Sequence, residues 1–214
     1  MKIAIIGSGN VGAALANNWL KAGHNVIFGV RNPDSPKTRK ALALIPNAVI
    51  QNINSAVSAS EVIVIATPSD AALDLVPLLG NPSGKIIIDT TNSIMKRPEP
   101  YPTAYHALKD ILKHEEIVKC FNSTGFENML NPIYKLSLPG NPEIGIDMFA
   151  AGNSRAAKEA ASQLSKDCGF AECFDFGGDD KVELLEKFAL SWINLAIMQG
   201  HGRNLAFKLI KRTE

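Results

Sequence analysis

Apolar and polar positions alternate along the chain in a way that predicts short strands separated by helices. Residues 2–6 (KIAII) are apolar and β-branched enough for a buried strand, and residues 11–21 carry Gly12, Leu15, Ala16 and Trp19 at helical spacing. Gly23 and His24 close that helix, and residues 25–30 (NVIFGV) give a second strand, completing a βαβ unit of about 30 residues. A basic, turn-rich stretch at 31–40 (RNPDSPKTRK) precedes a short helix to Ile45. Residues 48–50 suit a short third strand and 55–60 a brief helix. Residues 61–66 (EVIVIA) form a nearly unbroken β-branched run, as in a central parallel strand. Helix over 70–79, strand over 85–89 (KIIID), helix over 101–114 and strand over 117–121 (IVKCF) follow.

Beyond these, residues 147–151 and 171–176 look like edge strands flanking a helix over 153–168, which Asn153 or Ser154 would cap and Gly169 would end. The last long helix spans 181–198, with Val182, Leu185, Ala189, Trp192, Ile193 and Ala196 on one stripe. Gly200, His201 and Gly202 interrupt the chain before a final turn at 204–210. The alternation implies an α/β protein of the Rossmann type: a doubly wound, mostly parallel sheet with a small C-terminal helical appendage.

The first strand ends in GSGNVG, where Gly7, Gly9 and Gly12 have the spacing of a dinucleotide fingerprint and a helix follows. Gly7 permits the tight turn, Gly9 removes a side chain where backbone approaches a pyrophosphate, and Gly12 lets the helix sit close to the sheet. Ser8, Asn10 and Val11 offer backbone N–H groups at a helix N-terminus, which favours a diphosphate. FAD and S-adenosylmethionine proteins use similar turns, so the nucleotide is read from the second strand. An NAD site puts Asp or Glu at its end, to accept from the ribose hydroxyls. Here Gly29 and Val30 stand there, with Arg31 next and Lys37, Arg39 and Lys40 behind, so the reading is NADP, its 2′-phosphate paired with Arg31. The division that follows is a dinucleotide-binding domain at 1–152 and an extension at 153–214 that covers the acceptor site or a dimer interface.

Composition narrows the partners. With 46% hydrophobic residues in 214, the chain can bury a full core, and 22 basic against 21 acidic residues leave no global field for nucleic acid or an acidic membrane. Cys120, Cys168 and Cys173 lack the second pair or histidines of a zinc site and read as reduced, buried thiols. No apolar run reaches the roughly 18 residues of a membrane helix, and the first strand begins at the second residue; the expectation is a cytoplasmic protein, self-paired as a homodimer.

Taken together, GSGNVG, FGVRNP, ATPSDAALD, IIIDTTNS, IVKCFNSTGFENM, CGFAECFDFGG and LLEKFALSWINLAIMQGHGRNLAFKLI resemble, over nearly all of the chain, the NADPH-dependent reductases of the deazaflavin coenzyme F420. The cytoplasmic oxidoreductase module of ferric reductases shares much of the pattern. The resemblance implies that Ser8, Asn10 and Val11 line the pyrophosphate, Arg31 the 2′-phosphate, and Thr67 with Pro68 the nicotinamide-side ribose and ring, while Asn92 and Asn122 with Ser123 edge the acceptor pocket. The expected cofactor contacts are thus Gly7, Ser8, Gly9, Asn10, Val11, Gly12, Val30, Arg31, Lys37, Ala66, Thr67, Pro68, Asn92 and Asn122, with no metal ligand. Two departures stand out: the family usually has Ser or Thr where this chain has Val30, and an Asp-Ala-Gly-Pro turn where it has DFGGDD.

The implied reaction is hydride transfer between NADPH and a deazaflavin or flavin acceptor. It needs two stacked rings in a dry site and no side-chain acid or base. No catalytic dyad is expected: His24, His106 and His114 suit surface or capping roles, and His201 alone lies near a tail that could cover the acceptor. Amides near Thr124 and Gly125 could polarise a ring carbonyl. One rival is a dehydrogenase of small hydroxy acids or imines, or a ferric-reductase-like module. The first kind appends a long helical domain with a catalytic lysine, and only about sixty residues follow Gly152. Another is a non-catalytic NADP sensor.

Overall fold

A computed structural model describes residues 1–36, 38–39, 43, 45, 48–140 and 142–212. The expectations for Lys37 and Lys40, and part of the helix expected to end at Ile45, lie outside the described residues. The alternating pattern becomes β1 (Lys2–Ile6), α1 (Asn10–Lys21), β2 (Asn25–Val30), β3 (Val49–Asn52), α2 (Ile53–Ser58), β4 (Val62–Ile65), α3 (Ala72–Leu79), β5 (Ile86–Asp89), α4 (Ala104–Leu112) and β6 (Ile117–Lys119). The six strands pair in parallel in the spatial order 3-2-1-4-5-6. In that order β1 and β4 flank the point where the winding reverses, so a crevice opens past their C-terminal ends.

Strand alternation builds two cores. Ile3 and Ile5 face one side of β1 and pack with Leu15 and Trp19 of α1; Ala4 and Ile6 face the other and pack with α2, α3 and α4. All four are at most 1% exposed, each large aliphatic contributing roughly 1.5–3 kcal/mol by burial. Trp19 donates from Nε1 to Leu164 O at 2.9 Å and meets the edge of Phe121 at 5.6 Å between ring centres. Asn18 Nδ2 donates to Met129 O and Cys168 O, tying α1 to two later elements. Gly23, with φ of 86°, reverses the chain after α1 while His24 N–H returns to Trp19 O.

The sheet continues past residue 152. β9 (Met148–Ala151) joins β6 antiparallel, and β10 (Cys173–Gly177), reached through α6 (Arg155–Asp167), joins β9 in parallel. α5 (Phe126–Leu130) and a hairpin of β7 (Ile133–Lys135) with β8 (Glu143–Gly145) intervene, and neither is predicted by the pattern. Several boundaries move inward. The segment expected as one helix over 181–198 is α7 (Val182–Ile193) followed by a wider π-type turn at Asn194–Met198, and the helix expected over 101–114 is α4 alone, capped by Thr103 and ended by left-handed Lys113. The expected turn at 204–210 is an irregular strap held by side chains. Asn128 Nδ2 and Trp192 Nε1 both donate to Leu205 O, at 2.7 and 2.6 Å, and Phe207 stacks on Phe188. Cys120 and Cys168 are buried as expected, but Cys173 is only partly so, because β10 lies at the edge of the sheet.

Candidate functional site

The glycine turn sits at the reversal point, and its geometry explains its composition. Gly7 has φ of 118°, and a Cβ there would lie 2.5 Å from Ala66 O, so β1 and β4 approach too closely for any side chain. A Cβ on Gly12 would meet Gly7 O at 2.8 Å and Ile5 Cγ2 at 2.9 Å, which sets α1 tight against the sheet. Gly9 differs: a Cβ there would meet nothing within 4 Å. That open side faces the start of a 12-residue helix with no capping side chain and no acidic residue in its first turn. Orphan N–H groups and a partial positive charge are therefore left for a ligand anion.

A cleft of about 490 Å³ opens from this turn, lined by Gly7, Ser8, Gly29, Val30, Arg31, Thr67 and Pro68, together with Ile6, Asn32, Ser35, Thr38, Ile53, Ala71 and Leu75. Arg31 is the one charged residue among them. Its side chain is 62% exposed and stands 3.8 Å from a still more exposed Asp74 carboxylate, a pairing too loose and solvated to hold it. A second hollow of about 440 Å³, lined by Val30, Arg31, Asn52, Ile53, Asn54, Pro77 and Leu78, adjoins it at Val30 and Arg31. Thr67 Oγ1 is buried with no hydrogen-bond partner among the described residues, although its residue lines the cleft. The residues present fit a dinucleotide: an uncapped helix start beside the cleft, an exposed guanidinium, apolar side chains and a buried hydroxyl after β4.

Of the expected contacts, Gly7, Ser8, Val30, Arg31, Thr67 and Pro68 come together in the cleft. Gly9, Asn10, Val11 and Gly12 form the adjoining turn and first helical residues, and Ala66 backs Gly7. Asn92 and Asn122 do not line it. They clasp each other across the ends of β5 and β6: Asn92 Nδ2 donates to Asn122 O and Asn122 Nδ2 to Asn92 Oδ1, both at 3.0 Å. Phe121, a buried aromatic with φ of 57°, makes the turn that allows this clasp; the strand expected to reach it stops at Lys119. Asn122 Oδ1 is itself buried and unpartnered.

Sequence reasoning missed the ionic cluster beneath the clasp. Lys119 is fully buried and donates from Nζ to Asp89 Oδ2 at 3.0 Å and to Glu186 Oε1 at 2.5 Å. Asp89 Oδ1 accepts from Thr91 N and Glu186 Oε2 from Ser93 N, so β5, β6, α7 and the loop carrying Asn92 are tied at one point. Burial pushes the Glu186 carboxyl above the usual range, and Lys119 opposes that only in part. A lone lysine inside the run IVKCF was the signal available. Among the histidines, His24 bridges Asp167 and the N-terminal amine, His106 meets Thr103 Oγ1, and His114 meets Lys85 O. Among the described residues no group of three or more His, Cys, Asp or Glu could hold a metal ion, and no helix is long and apolar enough to cross a membrane.

Strand order, glycine turn and cleft define the class, a Rossmann-type dinucleotide-binding fold. Within it, residues 2–93 match the family described as NADP oxidoreductase coenzyme F420-dependent, which bears out the resemblance read from the sequence. A solved structure from Arthrobacter sp. FB24, provisionally described as an F420-dependent NADP-reductase, superposes with a TM-score of 0.83 at 24% identity, covering 99% of this chain and 100% of that one. An imine reductase variant from Myxococcus stipitatus, solved with NAD+, superposes at 0.66 and 14% identity over 92% of this chain and 62% of its own. The rat metalloreductase STEAP3 is 27% identical over 172 residues, 79% of this chain and 32% of that protein. The chain spans about a third of the length of the curated relatives it matches.

Proposed function

We propose that this protein is an NADP(H)-dependent oxidoreductase that passes a hydride between NADPH and a flat ring acceptor, a deazaflavin of the F420 type or a flavin. The observation that carries the reading is the one cleft lined by Gly7 and Ser8 of the turn into α1, by Arg31 and by the Thr67-Pro68 step. The N–H groups at Ser8, Asn10 and Val11 take the pyrophosphate, and Arg31 leaves its loose contact with Asp74 for the 2′-phosphate. Thr67 and Pro68 bound the nicotinamide side, where the buried Thr67 hydroxyl has a hydrogen bond to give. Asn92 and Asn122 wall the acceptor side, held in register by Lys119. When bound, the nicotinamide supplies the hydride; the chain orients two rings and keeps water out. In this reading residues 1–152 hold the cofactor and the strap and α7 cover the acceptor.

A ferric chelate is the second reading, favoured by the similarity to a metalloreductase. The test is direct. Titration of NADPH and NADH is expected to show a preference for NADPH, and Arg31→Ala to raise the NADPH dissociation constant tenfold or more, about 1.4 kcal/mol, with NADH nearly unchanged. Equal loss for both cofactors removes the 2′-phosphate role. Steady NADPH oxidation with a 5-deazaflavin, a flavin or a ferric chelate ranks the acceptors, whereas binding without turnover across all three points to an NADP sensor.

A further inference from the structure

A 2′-phosphate carries three terminal oxygens, and one guanidinium satisfies at most two of them in a forked pair. The remaining oxygen needs a further donor, and Val30, at the end of β2 beside Arg31, has none to give. The cleft supplies one from the following loop. Asn32, Ser35 and Thr38 line it together with Arg31, and no Asp or Glu is among its lining residues. Arg39, the next cation among the described residues, is engaged by Asp34 at 2.7 Å.

The two hydroxyls are not equivalent. Ser35 Oγ has its hydrogen committed: it accepts from Thr38 N at 3.1 Å and donates to Thr38 Oγ1 at 2.9 Å. With its oxygen already accepting from Ser35, the Thr38 hydroxyl keeps its own hydrogen to donate, and among the described residues no acceptor for it is found. Thr38 is 8% exposed, so its hydroxyl is held in place and largely shielded from water. A hydrogen bond to an ionised oxygen there is stronger than one at the surface.

We propose that the Thr38 hydroxyl, oriented by Ser35, donates to the 2′-phosphate of NADP(H) and shares with Arg31 the discrimination against NADH. The inference rests on the NADP reading above, and the experiment separates the two. The full chain and its Thr38→Val, Thr38→Ala and Thr38→Ser variants are titrated with NADPH, NADH and the fragments 2′,5′-ADP and 5′-ADP, which report binding without hydride transfer. Thr38→Val keeps the side chain's shape and removes only the hydroxyl. It is expected to weaken NADPH and 2′,5′-ADP about tenfold or more while leaving NADH and 5′-ADP within about twofold, as loss of one hydrogen bond to a charged group requires. Thr38→Ser restores the wild-type values, and Thr38→Ala repeats the loss should the valine variant fold poorly. Unchanged NADPH affinity in both the valine and alanine variants, or equal loss for all four ligands, overturns the assignment while the NADP reading stands. A wild-type protein with no preference for 2′,5′-ADP over 5′-ADP overturns both.

Discussion

At the scale of single residues, three glycines with one spacing perform three different tasks, and only geometry separates them. Gly7 and Gly12 are enforced by backbone and strand contacts under 3 Å, whereas Gly9 faces open space. A side chain is therefore excluded by the fold at the first two and accommodated by it at the third. Gly7→Ala should lower stability by roughly 1–3 kcal/mol, since it combines a left-handed backbone with a clash. Gly9→Ala should leave the thermal midpoint close to wild type and weaken NADPH binding. Differential scanning calorimetry beside a cofactor titration checks the pair, and a large fall in midpoint for Gly9→Ala would contradict the division. Gly7 and Gly12 were legible in the sequence because each answers a steric rule at fixed spacing. Ser35 and Thr38 were not, since hydroxyl residues in a proline-broken loop favour turns whatever else they do.

At the scale of elements, the six parallel strands were legible because strands buried on both faces must be apolar runs, and KIAII, EVIVIA and KIIID have no other use. What escaped was whatever depended on partners far along the chain. α5 and the β7–β8 hairpin are short and half exposed, and Phe121 adopts its left-handed turn because Trp19 and Phe170 pack around it. Lys119 is the sharpest case: a lysine in a central strand is costly until Asp89 and Glu186, 30 residues before it and 67 after it, supply the counter-charges. Removing the cation alone strands two buried carboxylates. Lys119→Met should cost about 3–5 kcal/mol, read as a shift of the urea midpoint at pH 7. The pH dependence has a definite sign. A carboxyl whose folded pKa is raised binds its proton more tightly in the native state, so the stability it contributes is present at low pH and lost as pH rises through the folded value. Without Lys119 the Glu186 value moves further up, and the variant should recover stability on acidification relative to wild type. A constant deficit from pH 5 to pH 8 would place the loss in packing instead.

At the scale of the whole molecule, the sheet does not stop at residue 152. β9 turns antiparallel on β6, β10 follows it, and the junction is closed by Asp179, which gathers groups from both sides of residue 152. Its carboxylate accepts from Tyr105 OH and Lys109 Nζ, both at 2.6 Å, and from Asn153 N at 2.8 Å. Burial pushes the Asp179 carboxyl up, but these hydrogen bonds outweigh it and hold the group below the usual carboxylate range. Burial and the same carboxylate push the Tyr105 hydroxyl well above its ordinary value, so the tyrosine stays a donor at every pH of interest. A carboxyl depressed on folding contributes stability that is present above its unfolded pKa and is lost as pH falls through the folded one. Asp179→Asn keeps the shape but removes the charge, and should cost about 1.5–3 kcal/mol at pH 7, the range for hydrogen bonds to a charged group. The wild-type advantage should then shrink as pH falls below about 4, where an ordinary aspartate begins to protonate. Chemical denaturation of both proteins from pH 7 down to pH 3 measures that difference. Curves that stay parallel across the range would show that the junction is held by packing of Phe149 against Phe174, Phe176 and Phe188 rather than by the carboxylate.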